Sequence, residues 1–279
     1  MPIKDSVTEI SVIIPTYKPG EYLFECLDSI LHQTFDLRKL EVVLVLNGPR
    51  DPFFSMIQKY AHQNEELNLV LGHCEHAHVS AGRNMGLQMT TGEFVLFMDD
   101  DDMISSTYVS DLFSKATTNG VVFSNVLSFA TNHKNATKNY LSVTYDRNTS
   151  LSKHNWMTLR SHMSLVWGKL FPLSMIQENK FDLRFKNGQD ALFMALISYK
   201  IKTYSLASEN AIYYWRDRSN SASRKSNKIA YEVKNTLLLM KQYMSIFLSA
   251  PLKYNIIFFG TRLLAVIKRL RYRIPKSSW

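Results

Sequence analysis

Cysteine is scarce: Cys26 and Cys74 are the only two in 279 residues, too few for a disulfide framework. Residues 1–12 also lack the basic and apolar segments of a secretory signal, so the expected compartment is the reducing cytoplasm, and the sequons at Asn135 and Asn148 read as incidental. No G-x-G-x-x-G follows the first apolar run and no G-x-x-x-x-G-K-[ST] occurs anywhere. Dinucleotide and P-loop modes of holding phosphates are thereby excluded. Long apolar runs are missing too, because Arg262 separates Tyr254–Thr261 from Leu263–Ile267. Neither piece reaches the roughly 18 to 20 residues of a membrane-spanning helix. Acids are nearly absent at the C-terminus, where residues 210–279 hold 14 Lys and Arg against Asp217 and Glu232, although the whole chain carries only +9. A basic, partly apolar segment over 251–279 predicts an interfacial helix on an anionic membrane surface. The plainer alternative is a basic helix packed on the domain with its charges in water. Aromatics do not interleave with these basic residues as a stacking surface requires, so no nucleic-acid partner is expected.

What is present suits one large core: 46% of residues are hydrophobic and 20% charged, which argues for a single α/β domain with or without an appendage. Short β-rich runs alternate with helical patterns through the first half, the mark of a mostly parallel sheet flanked by helices. Strands are predicted at Ile10–Ile14, Glu41–Leu46, Leu67–Leu71 and Glu93–Met98, and helices at Glu21–Gln33, Pro52–Asn64 and Ser80–Met89. The polar stretch Ser128–Ser152 reads as a long loop. A mixed region follows over 153–220, then helices near 227–248 and 252–272. The expected organisation is a catalytic domain over 1–220, halved near 125, with a basic helical extension over 221–279.

Candidate chemistry concentrates where the strand Phe94–Met98 runs into Asp99, Asp100, Asp101 and Asp102. Four carboxylates at the carboxyl end of a buried parallel strand form a hard oxygen-ligand site for Mg²⁺ or Mn²⁺ and a diphosphate. The bland reading is a solvated acidic turn that caps the next helix. His73, His76 and His78 match no standard zinc spacing and read, with His162, as structural or surface residues.

The motifs Ser11–Tyr17, Cys26–Ile30, Gln33–Thr34, Ser80–Gly86 and Gly92–Asp102 together resemble the family 2 glycosyltransferases, in order, across residues 10–110. That resemblance implies a GT-A fold that binds a nucleoside diphosphate sugar in its first half and an acceptor in its second. Pro15, Thr16 and Tyr17 would line the nucleoside pocket, and Arg83 would approach the diphosphate. Asp99, Asp100 and Asp101 would serve nucleotide and metal, with Asp101 and Asp99 as the Mn²⁺ or Mg²⁺ ligands and Asp102 a weaker member. Where many relatives have an Asp-Asp pair after the second strand, this chain has Leu46-Asn47. Asn47 offers both an acceptor and a donor, so uracil stays readable and a UDP-sugar is favoured. An inverting transfer needs one base for the acceptor hydroxyl; Asn187–Phe193 is similar to the family's E-D segment with Gln189 in place of Glu, which makes Asp190 that base. Val166–Phe171 is similar to a segment ahead of the base and suggests a positioning role for Lys169. Tyr213–Ser221 resembles a later motif in which Arg216 and Arg218 would contact phosphate, of the donor or of a lipid diphosphate on the acceptor. Q-x-x-R-W and multiple spans, found in processive relatives, are absent, so a single addition is expected.

The implied activity is that of an inverting hexosyl- or N-acetylhexosaminyltransferase acting on a lipid-linked saccharide of a bacterial surface polysaccharide, O-antigen or capsule, at the inner face of the plasma membrane. Two alternatives stand beside it. One is a sugar-phosphate nucleotidyltransferase, whose usual Gly-rich, Arg-containing loop Thr16–Gly20 does not match. The other is a non-catalytic basic protein that binds membrane or nucleic acid.

Overall fold

Strands β1 (Ile10–Thr16) and β2 (Leu40–Asn47) are buried along their whole length. Apolar runs covered on both faces belong in the middle of a parallel sheet, and the computed structural model, which describes residues 7–218 and 229–273, places them there. Beside β2 lies β3 (Leu69–Cys74), and beside β1 lies β4 (Phe94–Phe97), all parallel. The sheet continues antiparallel through β9 (Lys169–Pro172) to β6 (Gly120–Phe123), and ends at β10 (Thr203–Leu206), which is parallel to β6. A smaller sheet sets β5 (Met103–Ile104), β11 (Ile212–Arg216), β7 (Asn125–Phe129) and β8 (Thr137–Lys138) side by side.

Residues of β1 alternate between two cores. Ile10, Val12 and Ile14 pack with Leu23, Leu27 and Ile30 of α1 (Glu21–Leu31), while Ile13 joins Val43, Val45, Val95 and Phe97 on the opposite face. Helices α2 (Phe53–Gln63) and α3 (Val79–Met89) complete the parallel crossovers, and the short α4 (Tyr108–Phe113) and α6 (Leu173–Ile176) follow β5 and β9. Gly86 lets α3 lie against β1, since a Cβ there would fall 2.4 Å from Ile13 Cγ2. From β1 the chain winds one way to β2 and β3, and β4 lies on the other side. The carboxyl ends of β1 and β4 therefore flank a topological switch point, where open α/β sheets bind ligands.

One expectation changes. The stretch read as a loop over 128–152 contains β8 and the helix α5 (Tyr140–Thr149), started by a capping box between Asn139 and Ser142. Of its apolar residues only Leu141 and Tyr145, spaced i, i+4, are buried, while Tyr140 and Val143 face outward, so composition hid a helix that its cap and two anchors sustain. At the C-terminus, α8 (Ile229–Ser249) packs on α9 (Ile256–Arg273) and on α7 (Gln189–Ile197). Tyr243, Ile246, Phe258, Phe259 and Val266 join the domain core. The two helices and the turn between them still expose apolar side chains, among them Leu237, Leu248, Leu252, Ile256, Ile257 and Leu264. Among the described residues no helix is long and apolar enough to cross a membrane. The end of the Tyr213–Ser221 motif, Ser219 to Ser221, lies outside the described residues.

Candidate active site

The carboxyl edge of the sheet opens on a cleft of about 830 Å³. Pro15 and Tyr17 after β1, Asn47 at the end of β2, and Asp99, Asp100 and Asp101 after β4 line one side. Arg83 reaches in from α3, and Asp190 from the first turn of α7, behind Gly188, whose φ of +90° suits glycine and turns the chain into that helix. Arg216 and Arg218 close the rim.

One side chain joins the halves. The Arg83 guanidinium, 2% exposed, donates from Nη2 to Asp99 Oδ1 at 2.9 Å and from Nη1 to Asp190 Oδ1 at 2.6 Å. Arg83 is thereby joined to a carboxylate 107 positions away. Burial raises the Asp190 carboxyl above its ordinary range and Arg83 opposes that rise. Asp100 accepts from Thr16 Oγ1 at 2.5 Å; burial drives it up to about 7 against the pull of that bond, and Asp101 and Asp99 add to the rise. Burial and then Asp99 likewise raise Asp101, which forms an ion pair with Arg218 Nε at 2.6 Å. Crowded carboxylates of this kind gain from a cation.

Several expected residues sit differently. Thr16 is 1% exposed and acts on the cleft through Asp100 rather than lining it. Asp102 turns inward, taking hydrogen bonds from Tyr213 Oη at 2.6 Å and Arg216 N at 2.7 Å, so it braces β11 against the acidic turn. Lys169, expected at the acceptor side, is buried; its Nζ donates to the Trp167 carbonyl at 3.0 Å and burial lowers its pKa to about 7, opposed by Asp190. It lies behind the cleft surface because β9 is an interior strand. Arg216 spends its donors on the Asp101 carbonyl and on Glu25, and Arg218 lies 4.6 Å from the Tyr22 ring.

Sequence reasoning missed His78, Gln189 and Trp215 as cleft residues. Nδ1 of His78 caps α3 by accepting from Ser80 N at 3.1 Å, while His73 binds the Gly48 carbonyl. His78 Nε2, Gln189 Oε1, Asn47 Oδ1 and Arg83 Nε are buried without a protein partner. Unpaired buried polar atoms are uncommon, and four on one cleft are a set of open positions for a polar ligand. A position directly before a helix, between His76 and Ser80, was the available signal for His78.

For a metal, Asp99 and Asp101 supply hard carboxylate oxygens on the same turn, and among the described residues no group of three or more His, Cys, Asp or Glu converges. Two carboxylates with the remaining positions left to a diphosphate and water fit Mg²⁺ or Mn²⁺.

Comparison with known proteins shows the family and the fold. Glycosyltransferase GlyA of Streptococcus pneumoniae is 28% identical over 228 residues, which cover 77% of this chain and 32% of that protein. The minor teichoic acid biosynthesis protein GgaB of Bacillus subtilis is 28% identical over 77% of this chain and 24% of its own length, so the chain spans a third or less of either. A GalNAc(5)-diNAcBac-PP-undecaprenol beta-1,3-glucosyltransferase of Campylobacter jejuni is 26% identical over 81% of this chain and 70% of that one. Among solved structures, Staphylococcus aureus TarS 1–349 with UDP-GlcNAc superposes with a TM-score of 0.68 at 22% identity, covering 85% of this chain and 66% of that one. Mannosyltransferase PcManGT of Pyrobaculum calidifontis, in complex with GDP-Man and Mn²⁺, gives 0.60 at 16% identity over 96% and 71%. The fold is GT-A, and because residues 11–173 match the profile of Glycosyl transferase family 2, the chain belongs to that family.

Proposed function

We propose that the chain moves one sugar, with inversion, from a UDP-sugar to a hydroxyl of a saccharide acceptor carried on a lipid diphosphate. The observation that carries this reading is the Arg83 bridge, which places a carboxylate of the acidic turn and the carboxylate of Asp190 on opposite sides of one guanidinium. A diphosphate entering between them meets Arg83, and Asp190 is released toward the acceptor side. Asp190, with its pKa raised, takes the proton of the attacking hydroxyl. Arg83, Arg216 and Arg218 stabilise the negative charge that gathers on the departing diphosphate. Asp99 and Asp101 would hold Mn²⁺ or Mg²⁺, which supplies Lewis-acid stabilisation to the same leaving group. Asn47 Oδ1, buried and unpartnered, accepts from the N–H of uracil beside Pro15 and Tyr17.

Support for the donor comes from TarS, solved with UDP-GlcNAc and with UDP, and for the acceptor from the undecaprenol-linked substrate in the name of the C. jejuni relative. Presentation at the inner face of a membrane is supported by exposed Leu248, Leu252, Ile256, Ile257 and Leu264, with basic residues beside them. Surface polysaccharide synthesis, of capsule or O-antigen type, is the pathway class these acceptors indicate. The test is product analysis with a panel of UDP-sugars, Mn²⁺ and a lipid-diphosphate-linked saccharide. Release of UDP with an inverted glycosidic product supports the reading; release of pyrophosphate, or retention of anomeric configuration, overturns it.

A further inference from the structure

The cleft has a second wall, made by α9 and the segment before β9. Arg262 stands on it, 3% exposed and lining the same cleft as Asp190 and Asp99. Its Nη1 donates to Ser164 Oγ at 2.7 Å, its Nη2 to the Arg160 carbonyl at 3.2 Å, and its plane lies 4.7 Å from the Phe258 ring. Nε has no partner. Among the described residues no carboxylate pairs with this guanidinium, and residues 251–279 contain no acid at all. Burial, with Arg160 adding to it and Tyr243 opposing it, lowers its pKa to about 10. A buried cation without a counter-charge is unfavourable, and proteins rarely leave one. One turn and two turns on, Ala265 and Arg269 belong both to the cleft and to an adjoining cavity of about 1090 Å³. That cavity is lined by Arg160, Lys268 and Arg269 with Tyr140, Leu264 and Tyr272, and no acid lies among these residues.

Arginines on the sheet wall all meet carboxylates; on the helical wall Arg262 meets none among the described residues. We propose that Arg262, with Arg160, Lys268 and Arg269 around it, forms a second anion site that takes a phosphate group of the acceptor, separate from the donor diphosphate. Its apolar flank, Leu264 with Tyr140 and Tyr272, fits a phosphate that carries a hydrocarbon chain rather than a free inorganic ion. The identity of the anion as the acceptor's rests on the sugar-transfer reading, whereas the anion site itself does not.

The test titrates the full chain, saturated with UDP in excess Mg²⁺, with farnesyl diphosphate below its aggregation limit, followed by calorimetry. Inorganic phosphate and phosphatidylglycerol vesicles are the comparison arms. Binding of farnesyl diphosphate to the UDP-loaded chain is expected, weakened roughly tenfold or more by Arg262→Gln, as loss of a charged hydrogen bond predicts. Arg160 and Lys268 are exposed, so the double variant R160Q/K268Q, which removes two surface charges and one exposed hydrogen bond to the Thr261 carbonyl, should fold and show a loss in the same direction. UDP affinity, titrated separately, should be unchanged in both. No binding to the UDP-loaded chain, equal affinity in all variants, or binding to vesicles without binding to farnesyl diphosphate would each overturn the site. Stronger binding of inorganic phosphate than of farnesyl diphosphate would overturn its assignment to a lipid-borne group. Arg262-dependent binding by a chain that ignores UDP would keep the anion site and overturn the donor reading instead.

Discussion

The two walls of the cleft handle charge in opposite ways. On the sheet wall Arg83, Arg216 and Arg218 are each held by carboxylates or carbonyls of Asp99, Asp101, Asp190 and Glu25. On the helical wall Arg262 is as deeply buried as Arg83 but is held only by neutral oxygens and an aromatic ring. An arginine already tied to carboxylates is oriented before any ligand arrives, so a diphosphate exchanges partners rather than ordering loose side chains. A guanidinium held only by neutral oxygens instead keeps its full charge for an anion that approaches it. One residue type thus serves two purposes according to what surrounds it.

The comparison can be broken at several points. Asp190→Asn should lower kcat by roughly 10²- to 10⁴-fold, the usual size of a general-base contribution, with UDP-sugar affinity retained; a UDP-release assay beside a binding titration checks it. In the unaltered chain the rate should fall on the acid side, because protonation disables the base. Since burial raises the Asp190 pKa, the acid limb of kcat/KM should lie above the ordinary aspartate value of about 3.9. Arg83→Met leaves two carboxylates facing each other without their cation and should cost about 3 to 5 kcal/mol of stability, as breaking a buried pair does. Denaturant unfolding measures it, and Arg216→Met, nearer the rim, should cost less.

Behind the helical wall, His162 is 1% exposed with neither ring nitrogen bonded. Burial, helped by Lys169, holds its pKa down to about 3. A depressed pKa means that stability is fully present above the unfolded value of about 6.5 and is lost as pH falls toward 3. His162→Leu should therefore remove about 2 kcal/mol of the stability difference between pH 8 and pH 5, measured by unfolding at both. The smallest effect is expected at Asn47: Asn47→Leu should weaken UDP by about tenfold, the worth of one buried hydrogen bond, with no loss of fold.

How much of this was legible in the sequence follows the same division. The sheet wall is written in local signals: continuous apolar runs gave β1, β2 and β4, and Asp99 to Asp102 stand directly after such a run, so their place at a strand's exit could be read. Asp190 was found through its segment, with Gly188 supplying the turn. The bridge from Arg83 to both carboxylates was not readable, since it spans 107 positions. Helix α5 escaped because its two apolar anchors were diluted by Asn, Thr and Ser. That the Lys169 ammonium is buried in an interior strand was not readable from composition. Arg262 was noticed only as a break in an apolar run; nothing local announced that its guanidinium turns into the cleft and meets no acid.

Ligand-dependent stability tests the central claim most directly. A thermal-shift panel of UDP-, GDP- and CMP-sugars, with and without Mn²⁺, should raise the melting temperature by about 5 °C or more for the UDP series at saturating concentration. The shift should need the metal and vanish in Asp101→Ala. A metal-independent shift, a larger one with GDP- or CMP-sugars, or none from any of the three would contradict a metal-assisted UDP-sugar site on the sheet wall.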